Sequence, residues 1–126
     1  MTTVFSILVI DDEFGIAEVL EALLSDAGFR VTRAINGVQG MERLHEGTVD
    51  AVLLDVMMPL MDGPETLKAI RALPAHATTP VIMMSGLTRQ SVEERVTEAF
   101  QGYLQKPFLA RDLLLVLQEC LAARAK

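Results

Sequence analysis

Apolar residues along the chain fall into short runs separated by longer stretches of mixed polarity. Ser6 to Ile10, Arg30 to Ala34, Ala51 to Leu54 and Val81 to Met84 have the length and aliphatic content of strands. A shorter run, Tyr103 to Gln105, precedes Lys106 and Pro107 and is read as a fifth strand from its place in the alternation. Between the first two runs, Ile16, Val19, Leu20, Leu23 and Leu24 keep the spacing of a helix with one buried face, and Gly28 is placed to stop it. Val38 to His45 predicts a weaker, mobile helix that carries Gly40 and ends near Gly47. Pro64 suits a first helical turn, so a helix is expected from there to about Ala72, before Pro74 and Pro80 break the chain. Ser91 with Glu94 three residues later predicts a capping box opening a helix to Phe100, and a last helix is expected from Ala110 to about Ala123. Strand and helix alternating five times with short connections predict a doubly wound α/β fold, because right-handed crossovers return helices to both faces of a parallel sheet.

Composition narrows this to one domain, expected to span residues 1–126, with a core that needs no disulfide or structural metal. The chain is 51% hydrophobic but only 5% aromatic, so that core must be aliphatic. A net charge of −6, with no Lys/Arg-rich run, argues against direct nucleic-acid binding. Cys120 stands alone, in agreement with a reducing compartment. Met1 to Ser6 lacks the basic and apolar regions of a signal peptide, and no apolar stretch approaches a membrane span, so a cytoplasmic protein without a membrane partner is expected.

In a sheet of this kind, ligands bind beyond the carboxyl ends of the strands. The polar residues there are Asp11, Asp12 and Glu13 after the first run, Asp55 after the third, Ser85 after the fourth and Lys106 after the fifth. Carboxylates from neighbouring strands would repel one another unless a cation offset them, and a hard divalent ion such as magnesium suits two acids, a phosphate and water. Acids after a strand also serve as helix N-caps, which would account for Asp11, Asp12 or Glu13 alone. It does not account for Asp55, set between Val52-Leu53-Leu54 and Val56-Met57-Met58, where an unpaired carboxylate is expensive. Lys106, one of three lysines, can neutralise that carboxylate and later a phosphoryl oxygen. Ser85 alone reads as an ordinary strand-end hydroxyl; in this company it reads as a donor to phosphate.

Four segments in order, Val9-Ile10-Asp11-Asp12-Glu13, Leu54 to Gly63 around Asp55, Met84-Ser85-Gly86 and Tyr103 to Phe108, resemble the receiver domains of two-component signalling. The resemblance implies a flavodoxin-like, five-stranded sheet of order 2-1-3-4-5 with five helices. It implies a phosphoryl group passed from a histidine kinase or histidine phosphotransfer protein to Asp55. Asp12 would be the principal side-chain magnesium ligand, joined by Asp55, the backbone carbonyl of Met57 and, through water, Asp11. Lys106 and Ser85 would hold phosphoryl oxygens. Movement of Ser85 would let Tyr103 turn inward and repack the surface of the fourth helix, fifth strand and fifth helix. The resemblance also implies a cis Lys106–Pro107 bond, and apolar Met57 and Leu87 imply slow loss of phosphate. The chain departs from many relatives at Ala99-Phe100-Gln101-Gly102, where Gly-Ala is common.

The expected role is a signalling module, not a metabolic enzyme, either standing alone or forming the receiver part of a longer protein with a downstream target or output domain. A magnesium-dependent aspartyl phosphatase or phosphotransferase and a pseudo-receiver scaffold are the rival readings. His45 and His76 are expected at the surface, and the seven methionines, Met57, Met58, Met61, Met83 and Met84 among them, are expected as packing. In the last helix Leu113, Val116, Leu117, Cys120 and Leu121 complete a buried stripe. Leu114 and Leu115 are then surplus, which suggests an outward face for a partner or a phosphorylation-promoted homodimer.

Overall fold

Nothing polar interrupts the central apolar runs, and in the computed structural model, which describes residues 3–124, they become strands buried on both faces. The elements are β1 (Ser6–Ile10), α1 (Phe14–Asp26), β2 (Arg30–Ala34), α2 (Gly37–Glu46), β3 (Ala51–Asp55), α3 (Gly63–Ala72), a 3-10 turn (Pro74–His76), β4 (Val81–Ser85), α4 (Arg89–Glu93), β5 (Gly102–Gln105) and α5 (Ala110–Arg124). All neighbouring strands pair in parallel in the order β2-β1-β3-β4-β5, so the expected doubly wound sheet and its order hold. The outermost residues, 1–2 and 125–126 of the expected domain, lie outside the described part.

The period-two alternation of strand side chains divides the core into two layers. Ile7, Val9, Leu53 and Met84 face α1 and α5, where Leu20, Leu24, Leu113 and Leu117 meet them. Leu8, Ile10, Leu54 and Met83 face the other side, against Leu44 of α2, Leu67 and Ile70 of α3 and Val92 of α4. Each fully buried aliphatic side chain of this kind contributes about 1.5–3 kcal/mol of transfer free energy.

Several local expectations need correction. Val19 is 58% exposed, because the buried axis of α1 runs through Ala17, Leu20 and Leu24 and leaves Val19 well round the helix. Helix α4 does not open at Ser91: Thr88, three residues earlier, caps it by accepting from the Ser91 backbone N–H at 3.2 Å. Nor does α4 reach Phe100. It ends at Glu93, and residues 94–100 run on without regular structure. His76 is buried, not at the surface, with Nδ1 2.8 Å from Thr79 Oγ1. Met57 is exposed rather than packed, whereas Met58, Met83 and Met84 are buried. Leu114 lies partly against the core, so only Leu115 of the two surplus leucines stands out into solvent.

Helix α3 starts with a capping box. The Asp62 carboxylate accepts from the Glu65 N–H at 2.9 Å, and the Glu65 side chain reaches back to the Asp62 N–H. Gly63 then presses against the end of β3, its N–H donating to the Val56 carbonyl at 2.9 Å. A Cβ there would stand 2.6 Å from Val56 Cα and 2.7 Å from the Asp55 carbonyl oxygen, both rigid backbone atoms. Gly63→Ala is therefore expected to destabilise the fold by about 1–3 kcal/mol by overpacking. An unchanged urea midpoint would show that β3 and α3 separate freely.

Candidate functional site

Parallel pairing places the ends of the strands side by side, and the polar residues that follow them share one edge. Ile10 of β1 is in register with Leu54 of β3, so Asp11, just beyond β1, lies beside Asp55, the last residue of β3. Lys106 follows Gln105, the register partner of Ser85, and its N–H donates to the Ser85 carbonyl at 2.7 Å. The Lys106–Pro107 bond is cis. Asp11, Asp12 and Asp55 each offer a carboxylate oxygen within 4.8 Å of the others. Asp11 and Asp55 are buried while Asp12 is exposed.

Lys106 is the counter-charge. Its Nζ stands 3.4 Å from Asp11 Oδ2, 3.5 Å from Asp55 Oδ1 and 3.8 Å from Glu13 Oε1. Glu13 occupies the N-cap position of α1 yet makes no side-chain capping bond, so the capping explanation fails for it. Asp11 does serve the local turn, its Oδ1 accepting from the Glu13 N–H at 2.9 Å. One ammonium facing several carboxylates leaves a deficit of positive charge. Burial, and then the proximity of Asp11, push the Asp55 carboxyl up to about 6 in spite of Lys106. Burial lowers the Lys106 ammonium, but Asp55, Asp11 and Glu13 outweigh it and leave a net upward shift. Three converging carboxylates, partly compensated, are a fitting donor set for a hard divalent cation.

Ser85 and Tyr103 lie on the flank of this cluster and meet through Leu87. The buried Ser85 Oγ accepts from the Leu87 N–H at 2.9 Å, which leaves its own proton free for another acceptor. The Tyr103 hydroxyl, on a half-buried ring, donates to the Leu87 carbonyl. Sequence reading treated Leu87 only as an apolar neighbour; the backbone role it plays here has no side-chain signature. Met57 stands at the mouth, 63% exposed. Beside it Leu60 adopts φ 68°, the centre of a tight turn closed by the Met61 N–H on the Pro59 carbonyl at 2.8 Å.

The sequence profile of the response regulator receiver domain matches residues 7–118. The transcriptional regulatory protein ZraR of Klebsiella oxytoca is 40% identical over 119 residues, covering 92% of this chain and 26% of its own length. Against the transcriptional regulatory protein DltR of Streptococcus agalactiae the chain likewise spans only 48% of the relative. Among solved structures, chemotaxis protein CheY4 of Vibrio cholerae superposes with a TM-score of 0.87 at 30% identity, covering 94% of this chain and 99% of its own. The receiver domain of sensor histidine kinase PA1611 of Pseudomonas aeruginosa PAO1, with a magnesium ion coordinated in its active site cleft, also gives 0.87, at 29% identity, covering 95% and 99%.

The charge deficit predicts a pH-dependent cost. Asp55 titrates ordinarily at 3.8 and in the folded chain at about 6, so between those values the folded state binds more protons and stability falls as pH rises. Asp55→Asn removes that cost and is expected to stabilise the metal-free protein at pH 7 by about 1–3 kcal/mol. The gain should fade as pH drops through 6 toward 4. Urea unfolding at both pH values checks it, and an equal gain at each would contradict the electrostatic cause.

Proposed function

The chain belongs to the response regulator receiver domain family, and we propose that residues 1–126 act as one phosphoacceptor module that takes a phosphoryl group onto Asp55. The observation that carries this reading is the convergence of Asp11, Asp12 and Asp55 within 4.8 Å of one another beside the Lys106 ammonium. In the transfer, an Asp55 carboxylate oxygen attacks phosphorus, the P–N bond to the donor histidine breaks, and the imidazole leaves with the electron pair. Lys106 turns from the carboxylates to a phosphoryl oxygen, and the free Ser85 proton is donated to another. The protein's contribution is orientation and charge compensation, the dominant effects in phosphoryl transfer.

Asp12, Asp55 and the Met57 carbonyl are the groups we assign to magnesium, with Asp11 acting through water. The donor chemistry and the magnesium in the cleft of the PA1611 receiver domain support that choice. When bound, the cation would supply the positive charge that Lys106 alone does not. As Ser85 moves toward the phosphoryl group, the Leu87 N–H loses its acceptor and the Leu87 carbonyl shifts with it, so Tyr103 repacks against the surface of α4, β5 and α5. The phosphodonor partner is a histidine kinase or histidine phosphotransfer protein acting in the cytoplasm. The downstream partner is a protein target or output domain, and Leu115 marks a face for a phosphorylation-promoted homodimer. The chain itself is a signalling module and not a turnover enzyme. Among the described residues no helix is long and apolar enough to cross a membrane.

Intact mass after treatment with acetyl phosphate and magnesium should show one base-labile phosphoryl group, absent in Asp55→Ala. Continuous turnover of acetyl phosphate without a labelled protein would refute the assignment. Tyr103 is the one tyrosine and there is no tryptophan, so intrinsic emission should change on labelling in the native chain but not in Tyr103→Phe. Apolar Met57 and Leu87 at the mouth should retard hydrolysis. Polar replacement of either is expected to shorten the phosphoryl lifetime several-fold, on the order of the effect of admitting water to a shielded site. A lifetime of seconds that neither substitution alters would refute that shielding.

A further inference from the structure

The strongest polar construction outside the phosphoacceptor site surrounds Arg71, in the last turn of α3. All five of its N–H donors are used, and none meets a carboxylate among the described residues. Nε and Nη2 both donate to the Ala99 carbonyl, at 3.0 and 2.9 Å. Nη1 donates to the carbonyls of His76 at 3.0 Å and Thr79 at 2.7 Å, and Nη2 also donates to Gln101 Oε1 at 2.7 Å. A half-buried guanidinium held only by neutral oxygens is costly to maintain, and burial draws its pKa downward. From α3, its planar fork satisfies acceptors in two separate segments, residues 76–79 and 99–101, with a five-donor geometry that a lysine ammonium cannot reproduce.

What the fork holds is the connection between α4 and β5. Residues 94–100 lack regular structure although Val92, Val96 and Phe100 keep helical spacing, so local hydrogen bonding does not fix their path. Arg89 closes the segment from the other side, its guanidinium 5.5 Å from the Phe100 ring centroid. Gln101 carries the anchorage into the sheet. Its Oε1 also accepts from the Val81 N–H at 2.9 Å, and its own N–H donates to the Val81 carbonyl at 2.9 Å. Tyr103, two residues on, pairs with Met83 and reaches the Leu87 carbonyl.

We propose that Arg71 is a positioning residue of the switch: by tying Ala99 and Gln101 to α3, it gives β5 a fixed base, so that displacement of Ser85 and Leu87 is delivered to Tyr103 instead of being absorbed by a loose connection. The inference rests on the phosphoacceptor reading, and its test separates the two.

Arg71→Lys and Gln101→Met are compared with the native chain by acetyl phosphate labelling, amide exchange and Tyr103 emission before and after labelling. Gln101→Met, which removes one arm and leaves Arg71 in place, carries the test if Arg71→Lys does not fold. Labelling rates should stay within about twofold, while exchange at Val81, Gln101 and Gly102 accelerates about tenfold relative to Val9 and Leu53. The Tyr103 response to full labelling should fall to about half or less in Arg71→Lys, and by a smaller amount in Gln101→Met. A full Tyr103 response in the folded variants, or exchange that rises uniformly across the core, overturns the positioning role while leaving the phosphoacceptor reading intact. A native chain that does not label overturns both.

Discussion

The site is organised around one ammonium that is not enough. Lys106 is placed at the end of β5, where parallel pairing brings it within 4 Å of Asp11, Glu13 and Asp55, and it compensates part of their charge. Asp55 remains uphill, its carboxyl held at about 6 by burial and by Asp11. That residual repulsion makes the cluster a fitting donor set for a hard cation, and it is the electrostatic basis of the phosphoacceptor role we propose. A fully neutralised cluster would be more stable and chemically idle, the usual trade between stability and function at such sites.

The scaffold around this tension is most closely packed at the acidic cluster itself. Every residue of β3 and β4 is buried, and Gly63 lets the first turn of α3 close on the end of β3. Regular structure gives out toward α4, a five-residue helix followed by a stretch without helix or strand. The two regimes meet at Leu87, whose N–H touches Ser85 and whose carbonyl holds Tyr103. A buried acidic centre bordered by an irregular segment that side chains, not helical hydrogen bonds, hold in place is a natural layout for turning a local change of charge into a change of surface.

Legibility followed the physics of each signal. Strands of uninterrupted aliphatic residues were placed to within a residue or so, because burial on both faces leaves no alternative pattern. The α4 region failed for an equally physical reason: the Ser91–Glu94 spacing of a capping box also occurs in a helix that Thr88 already caps, and Val96 and Phe100 pack their apolar side chains partly against the same layer in a stretch without helix. His76 was misplaced because a histidine in a Pro- and Thr-containing loop reads as exposed, and only the fold supplies Thr79 as its buried partner. The five donors of Arg71 were invisible, since their acceptors are mostly backbone oxygens, which every residue carries.

The amino-acid order alone therefore determined the α/β alternation, the aliphatic core and the identity of the acids, hydroxyl and ammonium at the strand ends. Those features are written in side-chain type and short-range spacing. Tertiary structure decided that Asp11 rather than Asp12 is buried beside Lys106, that Glu13 faces the ammonium instead of capping α1, and that Arg71 gathers three segments. Each of those outcomes depends on where groups distant in sequence come to rest, and no local pattern encodes a distance in space.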